Sequence, residues 1–237
     1  DHIYNTPRAW FMGRYLAPDS HTWDGETAEF TPESDCLPWS LVPDRKVTVE
    51  DVKYLLSSHY QGTPYNPYSS RETGKRGMYR SIGINRTGVA SVCQIRTGVP
   101  EDIRAIEWIC FGSTTFDALL PVYPNTEKMP NYLSNVTLDV STENFYWSSR
   151  LLGALADHNY ATSIQDIERY QETVAVRGRQ IIREYDEKMR QSGDYSLTGE
   201  ANEKLCAMAK EETTKTLNKV LLDASTHMKN GFNLADN

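Results

Sequence analysis

Val89-Ala90-Ser91-Val92-Cys93-Gln94-Ile95 and Ala105-Ile106-Glu107-Trp108-Ile109-Cys110-Phe111 decide the fold class. Both are short runs rich in β-branched and aromatic residues, the composition of strands. Residues 80–85 read as a further strand ahead of them, with Arg86-Thr87-Gly88 as the hairpin loop to 89–95. Residues 119–124 read as a fourth, shorter extended piece, which Pro121 and Pro124 confine to an edge. The period then changes to 3.6. Helices are predicted over residues 144–158, 163–191 and from about 200 to 228. Ile164, Ile167, Tyr170, Val174, Ile181 and Tyr185 form the stripe of the second. Leu205, Met208, Leu217, Val220, Leu221 and Ala224 form that of the third, with Gly231 as its stop. The short connection Gly193-Asp194-Tyr195-Ser196 makes these two long helices antiparallel neighbours. Strands clustered ahead of helices argue α+β rather than alternating α/β.

Upstream of the strands the pattern is sparser. Tyr4-Asn5-Thr6-Pro7-Arg8-Ala9-Trp10 opens a helix, with Asn5 or Thr6 as cap and Pro7 in the first turn. Residues 17–45 carry four prolines among polar residues and read as a long loop. Thr48 and Asp51 bracket a capping box, and Val52, Leu55, Leu56 and Tyr60 follow at helical spacing. That helix is predicted to stop near Gly62-Thr63-Pro64, before an irregular stretch through Gly77.

The chain has 237 residues, enough for one to two domains, and its 39% hydrophobic content excludes a disordered or collagen-like chain. A net charge of −7 lacks the basic footprint of a nucleic-acid binder. No apolar run approaches about 18 residues, so no membrane-spanning helix is expected. The four cysteines, Cys36, Cys93, Cys110 and Cys206, form no C-x-x-C pair and have no histidine at ligand spacing. No metal site and no disulfide scaffold are predicted. Cys93 and Cys110 read as buried thiols of a reducing, cytoplasmic protein. Asn85-Arg86-Thr87 and Asn135-Val136-Thr137 match the glycosylation pattern, which matters only in a secretory context. The chain opens on Asp1, without an initiator Met or a signal peptide.

No G-x-S-x-G, H-E-x-x-H or phosphate-loop motif is present. Gly83 to Gly88 is glycine-bounded but precedes no helix, so it reads as a hairpin. His59-Tyr60-Gln61-Gly62-Thr63-Pro64-Tyr65-Asn66-Pro67-Tyr68 either lines a pocket or is a packed, rigid loop. Arg8 stands in a first helical turn, where the helix dipole disfavours a cation. It either answers a carboxylate, of a substrate or of another part of the protein, or is a solvated surface residue. His2, His21, His158 and His227 have no partner nearby in sequence and read as surface or satisfied side chains. No complete catalytic constellation emerges.

Several segments, taken in order, resemble the bacterial C69 dipeptidases. They are Tyr4-Asn5-Thr6-Pro7-Arg8-Ala9-Trp10, Asp51-Val52-Lys53 and the run from His59 to Tyr68, then Arg80-Ser81-Ile82-Gly83. Glu107-Trp108-Ile109-Cys110-Phe111-Gly112, Leu120-Pro121-Val122-Tyr123 and Tyr146-Trp147 with Arg150-Leu151 continue the match. The resemblance implies an N-terminal-nucleophile hydrolase with an αββα sandwich, related to penicillin V acylases and bile salt hydrolases. Its nucleophile is an N-terminal Cys whose own α-amino group shuttles the proton. Here the first Cys is Cys36, inside a proline-rich loop, and the chain starts at Asp1. It therefore reads as the C-terminal half of such an enzyme, inactive alone, with the nucleophile upstream.

In that reading residues 1–145 belong to the α+β hydrolase domain and 146–237 form a helical region packed on it. The resemblance gives Arg8 a catalytic role and puts Asn5, His59 and Tyr60 on the substrate side. No cofactor is implied. The implied partners are a dipeptide and the missing N-terminal half. An apolar face and unpaired sheet edges are expected where that half would pack, which leaves room for a homo-oligomer. The alternative is a non-catalytic interaction or assembly module with the two long helices as its contact surface.

Overall fold

The computed structural model describes residues 1–71 and 74–228. Among these lie a three-stranded antiparallel sheet and six α-helices, a mixed α+β fold. By internal contacts the chain divides into two compact units, Asp1–Ile84 and Asn85–Asn237. None of the described helices is long and apolar enough to cross a membrane.

The first unit has two helices, α1 (Asn5–Leu16) and α2 (Val49–Leu56). The start of α1 differs from expectation. Tyr4 occupies the cap position and makes no side-chain cap bond; neither Asn5 nor Thr6 caps. Instead the Ile3 and Tyr4 N–H groups donate to Asp1 Oδ1 at 3.3 and 3.2 Å. α2 carries the expected capping box: Thr48 Oγ1 accepts from Asp51 N–H and Asp51 Oδ2 from Thr48 N–H. It stops at Leu56, earlier than predicted, because the chain turns at Ser57 and Ser58 onto the carbonyls of Lys53 and Leu55.

With so little regular structure, this unit is held by aromatic packing. Trp10, Phe11, Trp23, Phe30, Leu55, Tyr60 and Tyr79 form its core. Polar edges of these rings reach loop carbonyls, so the irregular backbone is satisfied by the core itself. Trp10 Nε1 donates to the carbonyls of Trp23 and Phe30, and Trp23 Nε1 to that of Ala17. Asp51 adds an ionic clasp. It takes Arg45 Nη1 and Nη2 at 2.6 and 2.7 Å and the Tyr15 hydroxyl at 2.8 Å.

The second unit holds the sheet. β1 (Val89–Ile95) pairs with β2 (Ala105–Phe111), Val89 opposite Phe111 and Ile95 opposite Ala105. β2 also pairs with β3 (Leu120–Val122), which lies at the margin as its proline demands. The predicted strand at 80–85 does not form. Its backbone is already engaged within the first unit: Arg80 N–H donates to Ile3, and the Ile82 and Gly83 N–H groups donate to Ser58. β1 therefore pairs forward with β2, through a connection containing a short 3-10 turn, Glu101–Ile103.

Alternation along the strands decides the fate of the cysteines. Cys110 lies opposite Ala90 on the face carrying Ile106 and Trp108, and is buried. Cys93 lies opposite Glu107 on the other face and is exposed, which corrects the expectation that both are buried. That open face also presents Val89 and Ile95, 55% and 67% exposed.

Four helices complete the unit: α3 (Asn131–Ser134), α4 (Phe145–His158), α5 (Tyr160–Ser192) and α6 (Thr198–Thr226). The four-residue α3 was not predicted. Asn144 caps α4 by accepting Trp147 N–H. α5 begins at Tyr160, before the expected Ser163, and ends on Gly193, whose left-handed φ of 71° closes it. α5 and α6 pack on each other, as the short connection requires. Their buried residues include Ile167, Tyr170, Val174, Leu205, Met208 and Val220, whereas Leu221 is exposed. Gly231 lies outside the described residues. α5 also approaches the sheet closely at Gly178, where a Cβ would sit 2.7 Å from Pro121 Cγ.

Two stability outcomes follow from these contacts. Gly178→Val drives two methyl groups toward the rigid Pro121 ring and is expected to cost about 2 kcal/mol in denaturant unfolding. Asp51→Asn breaks the clasp and half the capping box, and is expected to cost about 1–2 kcal/mol at pH 7. The Arg45 hydrogen bonds hold the Asp51 carboxyl well below the usual carboxylate range. Its contribution is therefore complete above an unfolded value of about 3.9 and is lost as pH falls below it. The wild-type advantage over Asp51→Asn should shrink between pH 5 and pH 3 in the same unfolding experiment.

Candidate functional site

The first unit brings two of the sequence-predicted residues to one point, the peptide carbonyl of Arg80. α1 places Arg8 so that its Nε donates to the Arg80 carbonyl at 3.3 Å and its Nη2 to the Ser81 carbonyl at 2.9 Å. The Tyr60 hydroxyl donates to the same Arg80 carbonyl at 3.0 Å. Arg8 is thus answered by backbone oxygens, and makes no ion pair with a carboxylate among the described residues.

Tyr60 reaches that carbonyl from a strained backbone. Its φ is 63°, the left-handed region that a bulky residue rarely occupies, and its side chain is fully buried. The turn around it is over-determined. Tyr60 N–H donates to Ser58 Oγ, while its carbonyl accepts Thr63 N–H and the Thr63 hydroxyl. Phe11 and Tyr79 meet its ring edge-on. Burial pushes the Tyr60 hydroxyl up to about 12, with Arg8 pulling in the opposite direction, so at neutral pH it is a protonated donor.

The other two predicted residues do not join this point. Asn5 lies one turn before Arg8 on α1 and is exposed. His59 is buried, with Nδ1 2.9 Å from Asn66 Oδ1 and its ring edge-on to Tyr68. Asn66 Oδ1 also accepts Tyr68 N–H, and His59 N–H donates to Gln61 Oε1. Burial lowers the imidazole below its usual value, so it is neutral at pH 7 and serves as a donor to Asn66. Around His59 the run from 59 to 68 therefore has the geometry of a packed, rigid turn.

Sequence reasoning missed Arg80. Its guanidinium lies over the Tyr4 ring, 5.1 Å from the centroid, and its Nε is buried without a hydrogen-bond partner. Residues 80–85 look like a strand, and nothing local in them signals that Arg80 meets α1.

The remaining cysteines are buried or exposed singly, and three of the remaining histidines are paired with carboxylates. Burial pushes the Cys206 thiol up to about 12, and Cys110 is buried. Cys36 and Cys93 are exposed, with no described hydrogen bond to either sulfur. His2 and His21 pair with Asp35 and Glu29 at 2.6 and 2.9 Å, and His227 with Asp223 at 3.2 Å. An open groove between α4 and α6 contains His158 and His227 but no acid–base dyad joining them. Among the described residues no cluster of three or more His, Cys, Asp or Glu could hold a metal ion.

Comparison with known proteins gives one family. The sequence profile of Peptidase family C69 matches residues 1–173. A dipeptidase of Bifidobacterium longum is 39% identical over 278 aligned residues that cover all of this chain and 52% of that relative. A probable dipeptidase A of Streptococcus pyogenes serotype M18 is 40% identical across the whole chain and 48% of its own length. Dipeptidase A of Lactobacillus helveticus is 29% identical, again across the whole chain and 49% of its own length. The chain spans about half the length of the curated relatives it matches. With a profile match over well more than half of its residues, this chain belongs to peptidase family C69.

Proposed function

We propose that this chain is the C-terminal portion of a dipeptidase that hydrolyses small peptides through an N-terminal cysteine outside the chain. The observation that carries the reading is the whole-chain alignment to dipeptidases twice as long. The Cys206 thiol agrees with it, since burial pushes it up to about 12 and keeps it protonated at neutral pH. In the assembled enzyme the fold is an αββα sandwich. Residues 1–145 complete its α+β domain and residues 146–237 pack on it as helices. The open face of β1 and β2 supports this, because Val89 and Ile95 are left half-exposed or more on a sheet with a free edge.

The chemistry in this reading is acyl transfer. The cysteine sulfur attacks the peptide carbonyl, and its proton passes to the enzyme's own α-amino group. The C–N bond then breaks as that amino group returns the proton to the leaving amine. Water, deprotonated by the same group, releases the acyl half and regenerates the thiol. In this reading Arg8 is the residue of this chain that serves that reaction. Its Nε and Nη2 are fixed on backbone carbonyls, which holds the cation in one place for stabilising developing negative charge. Asn5, His59 and Tyr60 lie on the substrate side, Tyr60 by orienting Arg8 through the shared carbonyl and His59 by stiffening the adjoining turn.

Steady-state hydrolysis of neutral dipeptides tests the reading. The protein extended to the full length of its relatives should cleave them, and this chain alone should not. Arg8→Ala in the extended protein should lower kcat/KM about 100- to 1,000-fold while the unfolding midpoint stays within a few degrees. Turnover by the chain alone, or full turnover by Arg8→Ala, would sink it. A stable extended protein without hydrolase activity would favour the assembly-module alternative.

A further inference from the structure

We propose that Arg80 joins Arg8 in a carboxylate-binding site built by the first unit, with Tyr4 and Tyr60 as its frame. Tyr4 stands four residues before Arg8, one helical turn away and on the same side of α1. Arg80 lays its guanidinium over the Tyr4 ring, while Arg8 is bonded to the Arg80 and Ser81 carbonyls. Two guanidinium groups are therefore held at the same turn of helix by the same short segment. Like charges placed together are unfavourable, and a buried N–H without an acceptor costs more. Arg80 Nε is such a group.

Two other arginines of this unit are neutralised. Arg14 pairs with Asp24 and Arg45 with Asp51, each at 2.6 Å. Arg8 and Arg80 have no carboxylate partner among the described residues, although the chain carries more acidic than basic groups. The surroundings are nonetheless rigid. Tyr60 is kept in a left-handed conformation, and its hydroxyl fixes the carbonyl on which Arg8 rests. Arg80 Nε is unbonded, and the peptide oxygens that hold Arg8 leave its charge uncompensated, so the pair suits a planar anion with two acceptor oxygens, which is the geometry of a carboxylate.

Two carboxylates are chemically equivalent here. One is the free terminal carboxylate of a dipeptide, an assignment that rests on the dipeptidase reading. The other is an Asp or Glu side chain from the part of the protein outside this chain. Two measurements on the full-length protein separate them. The first compares kcat and KM for L-alanyl-L-alanine and its C-terminal amide in wild type, Arg80→Gln and Arg80→Lys. The second follows phenylglyoxal labelling of Arg80 by mass spectrometry, with and without dipeptide, in the full-length protein and in this chain.

If the substrate supplies the carboxylate, Arg80→Gln raises KM for the free dipeptide about 10- to 100-fold. It leaves kcat, and both constants for the amide, unchanged, and Arg80→Lys restores part of the loss. The free dipeptide, but not the amide, then slows labelling of Arg80 about tenfold or more. If the protein supplies it, Arg80 is shielded in the full-length protein without dipeptide and reactive in this chain. Arg80→Gln then lowers the unfolding midpoint and affects both substrates alike. Labelling that the dipeptide suppresses in a protein without turnover supports the site and rejects the dipeptidase reading. Labelling at one rate in every sample, with KM and unfolding midpoint unchanged in Arg80→Gln, overturns the proposal.

Discussion

The carbonyl oxygen of Arg80 is the point on which the first unit turns. It accepts the Arg8 Nε–H and the Tyr60 hydroxyl, and its own residue's N–H donates to Ile3. The backbone of one residue thereby joins the first helix, the turn after the second and the segment closing the unit. Tyr60 holds a backbone conformation that costs about 1–3 kcal/mol in isolation. Its ring contacts with Phe11 and Tyr79, and the hydrogen bonds of its turn, offset that cost. A strained residue in an exposed loop is a liability. Here it is the means by which a phenol reaches a carbonyl that α1 also uses.

The second unit solves a different problem. Its sheet is narrow, and long helices cover one face of it. Tyr123, just past β3, is the hub of that packing. Asn202 on α6 accepts its N–H and donates to its carbonyl, while its hydroxyl reaches Asp186 and the Ile182 carbonyl on α5. Asp186 also holds Arg96, just beyond β1. Burial and the neighbouring Asp186 push the Tyr123 hydroxyl well above its usual value, so it stays a donor throughout the physiological range. The network ties one end of the sheet, where β1 and β3 finish beside the start of β2, to the helices and leaves the opposite face of β1 and β2 open.

What the sequence reveals follows the range of the interactions. The capping box of Thr48 and Asp51, the α5 stop at Gly193 and the marginal place of β3 rest on residues a few positions apart, and each is legible. The fate of residues 80–85 is not. Their composition suits a strand, but their partners are Ile3, Arg8, Ser58 and Tyr60, which no local pattern announces. Cys93 and Cys110 look alike in sequence and differ only through register, which places one on each face. At the site, the helix-dipole misfit of Arg8 points to a carboxylate, whereas peptide oxygens are what hold it among the described residues. That pair of oxygens is reached by a contact across more than seventy residues, which no local pattern shows.

That separation bears on the order in which the molecule assembles. In the second unit the main packing is between helices adjacent in sequence, so most of its contacts can form early and locally. In the first unit Arg8 meets Ser81 across 73 positions, and Arg80 bonds back to Ile3. Closing so long a span carries its entropy cost before the contact returns anything. The contacts that fix Arg8 therefore belong to a late stage in the folding of this unit. A partly folded first unit lacks them, which ties the setting of Arg8 to the completion of folding.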